Sequence, residues 1–111
     1  DITALPLWSV GGAGVVSVAA NLYPSMMVRM WRAFKSLALS DAQAMHHRLL
    51  PIFRGLFLES NPSPVKYLMA KQHLIESDTL RLPLVPISEQ TASVLLSHHE
   101  VIKQLEGNAN A

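Results

Sequence analysis

The chain contains no cysteine, which excludes disulfides and thiolate chemistry and fits a cytoplasmic setting. Charge of one sign is also scarce. Nine Lys and Arg against eight Asp and Glu leave a net +1, so nothing electrostatic argues for nucleic acid or an anionic membrane surface. No apolar run approaches the roughly 20 residues that span a bilayer. A basic start and a signal cleavage site are missing, and the first residue is Asp1 rather than Met. The sequence therefore reads as a piece of something longer, or as a processed product. Internal repeats and low-complexity segments are absent. What is present is 111 residues, half of them hydrophobic: enough for the core of one domain, or of part of one.

The stretch VGGAGVVSVAAN (Val10 to Asn21) stands apart from the rest. Gly11 and Gly12 end whatever precedes them, and Gly14 opens a run holding Val15, Val16 and Val18. Both faces of that run are apolar or small. This predicts a strand over about residues 14–18 covered on both sides, as in a parallel sheet. Such a strand needs neighbours for its backbone N–H and C=O groups, and no other segment reads as one.

Around it the pattern is helical. Thr3 as N-cap and Pro6 in the first turn predict a short helix within residues 1–10. Ala19 to Asn21 should turn. Pro24 begins a helix to about Leu39, with Met27, Met30, Trp31, Phe34 and Leu37 inward. Helix, strand, helix is half of an alternating α/β pattern. Ser40 and Gln43 form a capping-box sequence for a helix to about Leu58, striped by Met45, Leu49, Ile52, Phe53 and Leu56 and kinked at Pro51. A further helix is expected from Pro64 to Leu74, then an extended connector through Pro83 and Pro86 that is no central strand. Ser88 caps a last helix, with Val94, Leu95, Ile102 and Leu105 inward. Gly107 is expected to stop it, and Asn108 to Ala111 to fray.

Chemistry-bearing residues are few. His46-His47 and His98-His99 are adjacent pairs without a third ligand at i+4, so they read as helix-face polar groups rather than a metal site. Lys35, Lys71 and Lys103 read as solvated. Lys66, directly after NPSP, is a candidate amine nucleophile or simply a surface lysine ordering a loop. The Met26, Met27 and Met30 cluster is ordinary apolar filling. The carboxyl end of a parallel strand faces the crevice where α/β folds hold ligands. That places Val16 as a wall or backbone contact and Ser17 as a hydroxyl, with plain barrel core as the open alternative.

Three blocks carry a resemblance: GGAGVVSVAAN, then L-F-x-E-x-N-P-x-P-V-K from Leu56 to Lys66, then LRLPLVPIS from Leu80 to Ser88. With their spacing they cover about 90 residues and resemble the last third of a dihydrodipicolinate synthase, in the wider family of N-acetylneuraminate lyase and other pyruvate aldolases. Those wider relatives usually carry glycine-serine-threonine where this chain has Val16-Ser17-Val18. The last twenty residues match weakly.

The resemblance implies an α/β fold, the carboxyl-terminal part of a TIM (β/α)₈ barrel with a helical extension. Residues 1–38 would be the seventh helix, eighth strand and eighth helix, and residues 39–111 the carboxyl-terminal helical domain. It implies a Schiff-base lyase condensing pyruvate with aspartate semialdehyde in lysine and diaminopimelate biosynthesis, without a cofactor or metal. Its partners would be the remainder of the barrel and further copies, as a homodimer or homotetramer. The imine-forming lysine and the assisting tyrosine of the family match no position here, so this chain alone has no catalytic residue. Val16 matches a residue bordering the pyruvate site, Asp1 an acidic residue near the same mouth, and Asn61 and Lys66 a structural motif. Two alternatives remain: a pyruvate aldolase with another acceptor, and a catalytically dead helical interaction module.

Overall fold

Residues 1–109 are described by the computed structural model, and among them apolar residues at helical spacing form five α-helices. These are α1 (Ala4–Ser9), α2 (Pro24–Lys35), α3 (Leu39–Gly55), α4 (Ser63–Lys71) and α5 (Glu89–Ala109), with a 3-10 turn at Ala19–Asn21 before α2. α3 packs between α2 and α5, and α4 against α5. One continuous core runs through them all, from Ala4 and Trp8 through Met30, Leu49, Ile52 and Phe53 to Leu68, Leu95 and Ile102. α3 and α5 cross closely at Gly55, where a Cβ would stand 3.1 Å from Leu95 Cδ2. Trp8 lies edge-on to Trp31 with ring centres 4.8 Å apart, and Phe34 joins both rings at 6.0 Å, fixing α1 against α2.

α1, α2 and α4 end in the same Schellman geometry, in which the two residues after the cap return N–H bonds to the last turn. After α1, Gly11 N–H donates to Trp8 C=O and Gly12 N–H to Leu7 C=O. After α2 the donors are Leu37 and Ala38, to Phe34 and Ala33; after α4 they are His73 and Leu74, to Ala70 and Met69. The motif needs a left-handed residue at its centre. Gly11 takes it at φ +101°, but Leu37 and His73 are forced to +62° and +56°. That is why Leu37 is 80% exposed rather than inward as its spacing suggests. Leu37→Gly relieves the Cβ strain without losing a core contact, and should raise stability by about 1 kcal/mol in chemical denaturation.

Several boundaries differ from the sequence reading. The Ser40/Gln43 capping box does not form, because the tight turn after α2 makes Ala38 the cap of α3 and leaves Ser40 inside the first turn. Thr3 sits at the N-cap of α1 without its hydroxyl capping the helix. α3 runs through Pro51 as one helix. Its stripe is as expected at Leu49, Ile52, Phe53 and Leu56, all fully buried. α5 continues through Gly107 to Ala109; a single glycine weakens a helix by about 1 kcal/mol but does not end it unless it turns left-handed. The fraying expected at Asn108 to Ala111 falls partly on residues 110–111, which lie outside the described residues. Between α4 and α5 the chain is non-helical through Pro83 and Pro86, as expected.

The largest correction concerns residues 14–18. No strand is present among the described residues, and residues 12–17 carry no regular secondary structure. The reason is physical: a strand is defined by its neighbours, and none of the other described segments lies alongside. Val15, Val16 and Ser17 give or receive no backbone hydrogen bond within the described residues.

Candidate functional site

The segment from Gly14 to Asn21 is fastened at both ends and open in the middle. At its start, Trp8 Nε1–H donates to Gly14 C=O at 3.2 Å. At its end the 3-10 turn is capped by two side chains: Ala19 N–H donates to Asp1 Oδ2 and Ala20 N–H to Ser17 Oγ, each at 2.9 Å. Asp1, 18 residues away in sequence, thus sets where the segment stops. Its second oxygen, Oδ1, is shielded from solvent with no partner among the described residues.

Between these anchors the side chains alternate with the period of an extended chain. Val15 and Ser17 look back toward the helices and line a cleft of about 290 Å³, with Trp8, Met27, Val28 and Trp31 on its other walls. Val16 projects the other way and is wholly exposed, at 102% of its reference area. Alternation ends at Val18, which enters the turn at φ −72°, ψ −44°. The structure therefore brings together Asp1, Ser17 and the Ala19–Asn21 turn, and leaves Val16 alone on the opposite face. In chemical terms Ser17 is a turn former, its hydroxyl already engaged by Ala20. Val16 offers an apolar surface flanked by backbone groups that have no partner among the described residues.

The remaining candidates are structural. Lys66 Nζ donates to the carbonyl of Thr79, holding the connector against α4. This is the loop-ordering role, and nothing about it resembles a desolvated nucleophile. The two histidines of each pair part company. His99 is buried on α5 with Nδ1 2.7 Å from the Tyr23 hydroxyl, tying the last helix to the start of α2, while His98 faces Gly55. His46 leans on Phe53, with ring centres 6.4 Å apart; burial first, then the neighbouring His47, holds its pKa below the ordinary value. Among the described residues no three His, Asp or Glu side chains gather as metal ligands, and no helix is long and apolar enough to cross a membrane.

Two anchors escaped the sequence reading. Tyr23 and His99 are 76 residues apart, and no local pattern announces such a pair. Glu59 Oε1 accepts from both the N–H and the hydroxyl of Ser88, at 2.9 and 2.8 Å, while Ser88 Oγ accepts from Thr91 N–H at 3.2 Å. Ser88 caps α5 as expected; Glu59, from the loop after α3, does the work that a capping-box glutamate would do from within the helix. The signal was present, since Glu59 and Ser88 both belong to the conspicuous blocks.

The Ser88 N–H, then the side chains of Thr91 and Ser88, hold the Glu59 carboxyl below its usual pKa. A depressed carboxyl pKa stabilises the fold above the unfolded-state value, near 4.3, and that share is lost as pH falls through the lower folded-state value. Glu59→Gln should therefore lower the melting temperature at pH 7 and flatten its fall between about pH 5 and 3. Parallel thermal melts of both proteins across that range check this.

A model of the dihydrodipicolinate synthetase family matches residues 1–104. The 4-hydroxy-tetrahydrodipicolinate synthase of Nitratidesulfovibrio vulgaris (strain DP4) is 47% identical over 95 residues, covering 86% of this chain and 32% of the relative. That of Archaeoglobus fulgidus is 42% identical over 106 residues, covering 96% and 35%. Among solved structures, the 4-hydroxy-tetrahydrodipicolinate synthase of Methylacidiphilum fumariolicum SolV superposes with a TM-score of 0.89 at 38% identity, over 94% of this chain and 34% of that one. The dihydrodipicolinate synthase of Thermotoga maritima does so with 0.85 at 38% identity, over 94% and 34%. The chain spans about a third of the length of the curated relatives it matches.

Proposed function

The chain belongs to the dihydrodipicolinate synthetase family, and from that premise we propose that it is the carboxyl-terminal portion of a Schiff-base lyase joining pyruvate to aspartate semialdehyde. Residues 1–38 supply the last stave of a (β/α)₈ barrel with its flanking helices, and residues 39–111 the helical extension. The observation that carries this reading is the alternation at Val15, Val16 and Ser17. Among the described residues their backbone groups have no backbone hydrogen-bond partner, and one face is turned toward α1 and α2 across the cleft, as a barrel strand faces its outer helices. Val16, on the other face, then points into the barrel interior. It forms an apolar wall at the carboxyl end of the strand, where barrels hold substrate.

In this arrangement the chain does no covalent chemistry. The lysine that forms the imine belongs to another part of the whole protein. This portion borders the pyruvate site, excludes water from one side of it and fixes the stave through Asp1, Trp8 and Ser17. Leu82 and Val85, exposed on the connector, supply apolar surface for contacts between copies in a homo-oligomer.

The test is to incubate the whole protein that carries this sequence with pyruvate and borohydride. A mass increase on one lysine corresponding to reduced pyruvate imine is expected, together with turnover of aspartate semialdehyde. An unchanged mass overturns the lyase reading in favour of an inert helical module. An imine that accepts only sugar aldehydes makes it a different pyruvate aldolase.

A further inference from the structure

Three of the chain's five arginines line one cleft. Arg29 and Arg32 lie one turn apart on α2, Arg48 faces them from α3, and the cleft between holds about 390 Å³. Its floor is made by small or apolar side chains, Ala33, Ala44 and Met45, and one carboxylate, Asp41, stands at the α3 side. No ion pair joins any of these arginines to a carboxylate among the described residues. Among the described residues, the only polar contact of the three is a long one from Arg29 Nη1 to Met26 Sδ, at 3.8 Å. The nearby Lys35 is turned away, its Nζ 5.6 Å from the centre of the Trp31 ring.

Arg29, Arg32 and Arg48 are exposed, so the arrangement is only mildly unfavourable without a guest, and it leaves all three open to one. Like charges one turn apart on a helix repel, and a third guanidinium from the facing helix adds to this. The whole chain is nearly neutral, so the concentration of charge is local. Arginine in particular offers a planar fork that grips phosphate oxygens in pairs. Three guanidiniums and one carboxylate leave a local +2, which matches the charge of about −1.5 to −2 on a phosphate monoester at neutral pH. The cleft is larger than a phosphate group needs. Its apolar floor suits a short carbon skeleton, and Asp41 can accept a hydrogen bond from a hydroxyl on it.

We propose that the α2–α3 cleft binds the phosphate group of a small hydroxylated phosphomonoester through Arg29, Arg32 and Arg48. The site lies on the helical side of α2 and α3, separate from the Val16 face, and does not depend on the lyase reading.

Isothermal titration of the whole protein tests this with two probes, inorganic phosphate and glycerol 3-phosphate, against potassium chloride at matched ionic strength. The two arms separate a site for the free anion from one for the ester. Saturable binding of either is expected, weakened tenfold or more by Arg32→Gln and by Arg48→Gln. Lys71→Gln, which removes the same charge elsewhere, should change it less than twofold. All three side chains replaced are at the surface or on its edge, and circular dichroism confirms that each variant is folded. Heats that follow ionic strength alone overturn the proposal. So does saturable binding that Arg32→Gln and Arg48→Gln leave intact.

Discussion

Gly12→Ala should destabilise the protein by about 2–3 kcal/mol, a large cost for one added methyl group. The cause is a close approach within the cap of α1. A Cβ at Gly12 would stand 2.8 Å from the Leu7 carbonyl oxygen, 3.1 Å from its carbon and 3.4 Å from Trp8 N. All three are backbone atoms of a helix whose position is fixed by the packing of Trp8 against Trp31 and Phe34. No flexible side chain can give way, so the Gly12 N–H bond to Leu7 C=O must lengthen or the stave must start elsewhere. The adjacent Gly11 is a useful contrast. It has open space around it but a φ of +101°, so Gly11→Ala should cost about 1–2 kcal/mol of left-handed backbone strain without a clash. Denaturant titration of both variants in the whole protein separates the two causes. A Gly12→Ala variant within 0.5 kcal/mol of the parent, the range of about ±0.5 typical of neutral surface changes, would contradict the steric argument.

Val16→Glu should reduce kcat/KM for pyruvate at least about 100-fold in the whole protein, equivalent to about 2.7 kcal/mol of lost transition-state stabilisation. Val16 touches none of the helices, so its replacement leaves the core of this portion intact. In the proposed barrel its side chain borders the pyruvate site, and a carboxylate there repels the carboxylate of the substrate and draws in water. Val16→Thr keeps the shape and should stay within about tenfold of the parent, since one hydroxyl against a wall costs little when no group is left buried and charged. Steady-state kinetics and the rate of borohydride trapping read both variants. Activity of Val16→Glu within threefold of the parent would remove Val16 from the pyruvate wall.

How far the sequence could be read depended on the range of the forces involved. The inward faces of α3 and α5 followed from spacing, because the residues that share a helix face are set by their own separation. Leu37 broke the pattern because the turn into α3 demanded a left-handed residue and none better was supplied. The Ser40/Gln43 box failed because the same turn handed the cap to Ala38, so one local rule was overruled by another two residues away. At the candidate site, the sequence set Val16 and Ser17 together at one crevice, whereas the structure turns Ser17 toward the helices and leaves Val16 exposed on the other side. Asp1 as the cap of the 3-10 turn, and Trp8 as the clamp on Gly14, were not legible, since neither residue carries a sign of which distant backbone group it will meet.

By itself the sequence determined the helices and the three blocks that mark the family. An α-helix closes its hydrogen bonds within four residues, and its ends are written in the caps beside them. Only the tertiary structure decided that Glu59 caps α5, that Tyr23 meets His99, and that three arginines from two helices share a cleft. It also decided that Gly14 to Val18, for all its valine, is not a strand in this chain, because a strand takes its hydrogen bonds from other segments and the described residues offer none.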